Sequence, residues 1–174
     1  MRGDHGIAKG VLAGALGGLA GAWAMNEFMA ISQGVNKAWK RSAHQPEKPQ
    51  SQGDSQEDDA TMKTADRLAM LFTHRHLTSE QKKKAGPIVH YAYGALMGAA
   101  YGVIAEMVPI TTKGIGTAYG AAVWLGGDEI GVPALGLSKA STAYPLSVHM
   151  NGLATHLVYG TSLDLVRRGI RALL

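Results

Sequence analysis

Residues 87–109 read PIVHYAYGALMGAAYGVIAEMVP, and the fold follows from how this stretch is understood. Between the two prolines lie 21 residues with no lysine or arginine, and only His90 and Glu106 can titrate near neutral pH. A helix of about 20 apolar residues crosses a hydrocarbon core of about 30 Å. His90, Gly94, Gly98, Gly102 and Glu106 recur at every fourth position. That spacing drifts only about 40° per step around a helix, so it forms one narrow stripe of small residues with an ionisable group near each end. Small-xxx-small spacing lets helix backbones approach closely in lipid, where apolar burial does not drive association. A soluble core helix would gain nothing from so much glycine, since each costs roughly 1 kcal/mol against alanine. The stretch reads as membrane-spanning.

The composition supports this once its segregation is seen. Mean hydropathy is −0.02, which by itself suggests no membrane protein. Residues 33–85, however, hold ten of the 17 Lys+Arg and seven of the 13 Asp+Glu. The other 121 residues carry only seven basic and six acidic groups, and 21 of the 23 glycines. No cysteine is present, so disulfides, thiolate nucleophiles and cysteine metal sites are excluded. The pI of 9.4 could point to nucleic acid, but the basic residues flank apolar segments and build no aromatic-basic reading surface, so no nucleic-acid partner is expected.

Working outward, residues 1–32 form the first predicted transmembrane helix. GIAKGVLAGALGGLAGAWAMNEFMAI (6–31) places Gly10, Gly14 and Gly18 at the same fourfold spacing. A basic residue in front raises a signal-peptide reading, but the apolar core is long and no convincing cleavage site follows, so a retained span is expected. Residues 33–60 lack aliphatic periodicity and are expected to be a mobile polar linker. Within 61–85, Asp58 or Asp59 should cap an amphipathic helix with Met62, Ala65, Leu68, Ala69 and Phe72 on one face, at the interface or against the bundle. Lys82-Lys83-Lys84 then reads as a stop signal for the span that follows. His74 and His76, with His44, Asp58 and Asp59 upstream, do not have ligand spacing, so no metal site is expected.

Three membrane segments follow in 86–174: about 87–108, 112–131 and 146–166. The second carries Gly116 and Gly120 and ends on adjacent acids, Asp128 and Glu129, which would point about 100° apart on a helix. One acid should face the bundle and the other the interface. Pro145 should open the last helix, where His149 and His156 share a face with Asp164 close to it.

On VHYAYG (89–94), AEMVP (105–109), the glycine-spaced third span, VPALGL (132–137) and HLVYGTSLDLVRR (156–168), the chain resembles the YagU family of bacterial inner-membrane proteins. The resemblance runs continuously over residues 86–171; the first span matches in character alone. It implies a small multi-pass helical protein of a bacterial cytoplasmic membrane, of unknown molecular function, with a link to envelope or acid stress. It supplies no catalytic residues.

The fold class expected is all-α: a small polytopic transmembrane bundle of four spans packed through the glycines at 10, 14, 18, 94, 98, 102, 116 and 120. His90, Glu106, Asp128, Glu129, His149, His156 and Asp164 form a candidate polar seam. Three functions can use such a seam. It can glue the helices of a non-enzymatic scaffold or accessory subunit, carry protons or a small solute, or ligate haem or a metal through His149 or His156. The first is preferred, with no cofactor and no enzymatic motif. The expected partners are the lipid bilayer and either a second copy or another membrane subunit. Counting lysine and arginine puts eleven on the side of residues 33–85 and six on the other, which favours a cytoplasmic 33–85 but leaves Arg167, Arg168 and Arg171 outside.

Overall fold

A computed structural model describes residues 2–42 and 58–174. Residues 43–57, the greater part of the predicted linker and the position of His44, lie outside the described residues. Helix α1 (Arg2–Ser42) is followed by α2 (Ala60–Thr73) and α3 (Ser79–Met107). A 3-10 turn (Pro109–Thr112) leads to α4 (Thr117–Val123), which runs through a π-helical stretch (Trp124–Gly131) into α5 (Val132–Ala134). A second 3-10 turn (Ser141–Ala143) precedes α6 (Leu146–Leu173), and no strand occurs among the described residues. The helices Gly6–Trp39 and Ser79–Met107 are long and apolar enough to cross a membrane.

The glycines set the register. A methyl added to Gly14 would collide with the carbonyl of Gly98, one on Gly18 with that of Gly94, and one on Gly102 with that of Gly10. These pairs make α1 and α3 antiparallel. The other side of α1 meets α6, where a Cβ on Gly17 would lie 2.6 Å from the Leu163 carbonyl and one on Gly21 2.8 Å from that of Tyr159. Across α6, Gly116 meets the Gly160 carbonyl and Gly120 that of His156. The chain thus runs up, down, up and down, with α1 between α3 and α6. Tyr101, Tyr159, Leu163 and Met25 fill the centre. Large aliphatic side chains such as Leu12, Leu96, Ile104, Leu125 and Leu165 point outward.

Several boundaries differ from the sequence expectation. α1 continues as helix to Ser42 rather than ending at 32. α3 begins at Ser79, where Thr78 and Gln81 make a reciprocal capping box, so Pro87 lies inside the helix instead of opening it. The segment expected as helix from 112 is helical only from Thr117, because Gly114, Ile115 and Gly116 all take positive φ. Gly116 combines φ +73 with contact against Gly160, a position no larger residue fits.

Asp59 caps α2, accepting from the Met62 amide at 2.9 Å. The expected apolar face divides. Met62 and Ala65 turn towards α3, where Met62 meets Gly86, while Leu68 and Phe72 face outward. Lys82 reaches Asp58 at 2.7 Å and Asp66 at 3.6 Å, so α2 runs antiparallel along the first turns of α3 as a hairpin. The basic cluster therefore begins with a paired lysine.

Candidate functional site

The seven candidate seam residues fall into two groups, one in each half of the bundle. At the end formed by the close of α3 and of α6, Glu106 accepts from Arg171 Nε at 2.8 Å and Nη2 at 3.2 Å. Asp164, fully buried, accepts from Arg167 Nη2 at 3.1 Å and Arg168 Nε at 2.8 Å. Arg167 also stands 5.5 Å from the centroid of Tyr101, a cation–π contact, and Arg168 donates to the Thr112 carbonyl. The sequence reading missed that the three arginines belong to the seam. The signal was available, since Arg167, Arg168 and Arg171 follow Asp164 by three, four and seven residues and so share its face.

At the other end, the π-helical stretch presents both adjacent acids to α6. Glu129 Oε1 lies 2.8 Å from His149 Nδ1, and Asp128 Oδ2 lies 3.7 Å from His156 Nε2. Both acids stand against the same neighbouring helix at positions seven residues apart, Glu129 largely covered and Asp128 half exposed. A π turn closes i→i+5 bonds and so redirects successive side chains, and such turns are frequent at functional sites. His156 Nδ1 donates to the Gly152 carbonyl at 2.9 Å, which leaves Nε2 towards Asp128. Ser141 donates to the Glu129 carbonyl at 2.6 Å and ties the preceding loop down. His90 Nε2 is buried without a hydrogen-bond partner.

Between His156 and Asp164, eight residues apart about the middle of α6, stand tyrosines. Tyr119 donates to the Met97 carbonyl at 2.6 Å and Tyr159 to that of Gly94 at 2.7 Å. The Tyr101 hydroxyl is fully buried beside the Asp164 carboxylate. The ion pairs of these residues fall into two sets, Asp128–His156 with Glu129–His149, and Glu106 with Asp164 and the arginines.

Outside the bundle, Asp66 accepts from the Leu77 amide at 2.7 Å and contacts His76 at 2.9 Å. The Leu77 bond, then His76, holds its carboxyl below the usual range, while Asp58 raises the Lys82 ammonium. His76 is thus engaged by a single carboxylate, and among the described residues no three His, Asp or Glu converge to hold a metal ion.

The family model described as "Protein of unknown function (DUF1440)" matches residues 47–165, more than half of the chain, and the chain belongs to that family. The YagU resemblance is consistent with it. No curated protein and no solved structure matches.

Proposed function

We propose that this member of the DUF1440 family is a four-span protein of the bacterial cytoplasmic membrane acting as a non-catalytic scaffold or accessory bundle. The observation that carries the membrane part is the inverted distribution of side chains. Glycine, alanine, tyrosine and an Asp–Arg pair make up much of the interior, with Met25, Val123, Leu137 and Leu163, while most leucine, isoleucine and valine side chains cover the outside. Water does not favour that arrangement, and lipid does.

The four-span count is supported by the path of the third segment. Thr112 is held by Arg168, Gly116 meets Gly160, Gly120 meets His156, and Glu129 reaches His149. These contacts progress steadily along α6 over 19 residues, a rise of about 28 Å, comparable to a hydrocarbon core. A re-entrant segment would double back instead. The lysine and arginine count, eleven on the side of residues 33–85 against six on the other, is the support for orientation. That favours a cytoplasmic α2–α3 hairpin, with both termini opposite. The scaffold role is supported by the pairing of Glu106, Glu129, His149, His156 and Asp164 and by the plugged centre.

Labelling tests this directly, since the chain has no native cysteine. Ser79→Cys should react with an impermeant maleimide only in inverted vesicles, and a cysteine appended after Leu174 only from the periplasmic side. Labelling of both from one side would leave three spans and overturn the reading.

A further inference from the structure

A cavity of about 250 Å3 opens beside the π-helical stretch, walled by Trp124, Asp128, Glu129, Tyr144, His149 and Gly152 among others. We infer that this cavity is a binding site for a small organic ammonium ion. No lysine or arginine lines it, and its two carboxylates disfavour an anion. Its ionisable walls are carboxylates and an imidazole, and the two carboxylates are differently engaged. Glu129 is committed to His149 at 2.8 Å. Asp128 is not: its nearest imidazole nitrogen stands 3.7 Å away, beyond a hydrogen bond, and its side chain is 50% exposed. Asp128 is therefore the anion available to pair with a cation, whether or not that cation carries an N–H.

The remaining walls select the kind of cation. Trp124 and Tyr144 are among the lining residues, and aromatic rings attract ammonium groups most strongly when water is thinned out. Gly152 makes room for the indole, since a Cβ there would lie 3.0 Å from Trp124 Nε1. A bare metal ion would want three or more converging ligands, which the described residues do not supply. One carboxylate, two rings and this volume suit a compact alkylammonium.

The test uses the full chain in detergent micelles with Trp23→Phe and Trp39→Phe, both at exposed positions, so that Trp124 alone fluoresces. Tetramethylammonium chloride is titrated against sodium chloride at equal ionic strength, and against sodium acetate. A saturable change with tetramethylammonium only is expected, weakened roughly tenfold by Asp128→Asn and unaffected by Glu106→Gln at the far end of the bundle. If Asp128→Asn unfolds, Tyr144→Leu on the cavity wall serves instead and should also weaken the response. No saturable change, an equal response to sodium or acetate, or undiminished binding in the folded wall variants would each overturn the proposal. Such a failure leaves the four-span reading untouched, because labelling tests that separately.

Discussion

Arg171 grips Glu106 with two parallel hydrogen bonds, Nε to Oε1 at 2.8 Å and Nη2 to Oε2 at 3.2 Å, joining the last turn of α6 to the last turn of α3. The fork matches a carboxylate better than an ammonium could. Arg171→Lys should therefore lower the melting temperature in detergent, and Arg171→Ala further. A double-mutant cycle with Glu106→Gln should give a coupling of about 0.5–3 kcal/mol. Additive effects would mean that the contact joins nothing.

The glycines divide into those that touch and those that do not. A methyl on Gly98 would meet the Gly14 carbonyl and the Gly18 backbone, neither of which can move alone, so Gly98→Ala should force α1 off α3. Overpacking typically costs about 1–3 kcal/mol, and backbone collisions fall at the upper end. Gly34 and Gly169 have nothing within 4 Å, and both lie in helices. Gly34→Ala and Gly169→Ala should instead stabilise by about 0.5–1 kcal/mol. Thermal melts of the three variants check this, and an equal response at all three sites would refute it.

The glycine stripe of 94, 98 and 102 was legible in the sequence because fourfold spacing translates directly into one helix face. The partner of each stripe was not: nothing in residues 10–18 says that they meet 94–102 rather than Gly160. The polar groups were legible as an inventory but not as two clusters, because helix order and crossing decide which ends meet. Asp128 and Glu129 show the limit most clearly. Their 100° divergence assumes an α-helix, and the π-helical stretch that turns both towards α6 has no signature in WLGGDEIG beyond paired glycines. The Pro87 boundary failed for a local reason, since the capping box at Thr78 starts the helix eight residues earlier.

The α2–α3 hairpin should loosen in acid. The Leu77 amide and then His76 hold the Asp66 pKa below its ordinary 3.8. A depressed carboxylate contributes stability that is present above the unfolded pKa and lost as pH falls through the folded one. The hairpin should therefore stay closed at pH 5–7 and open below about pH 4, near the ordinary aspartate value. The protection factor of the Leu77 amide, its exchange corrected for the intrinsic rate at each pH, should fall in that range, and Asp66→Asn should lower it already at pH 7. A wild-type protection that does not change between pH 6 and pH 3 would refute the assignment.

The two polar clusters are separated by Tyr101, Tyr159, Leu163 and Met25, with the tyrosines at 119 and 159 spending their protons on backbone carbonyls. A proton path needs successive groups that can both accept and release, and a hydroxyl locked onto a carbonyl is poorly placed to reorient. Proteoliposomes holding the pure protein should therefore acidify under an imposed pH gradient no faster than empty ones. Glu106→Gln and His156→Ala should leave that rate unchanged while lowering the melting temperature, which separates pairing from transport. Flux above the empty vesicles that either variant abolishes, with its melting temperature preserved, would replace the scaffold reading with a solute path.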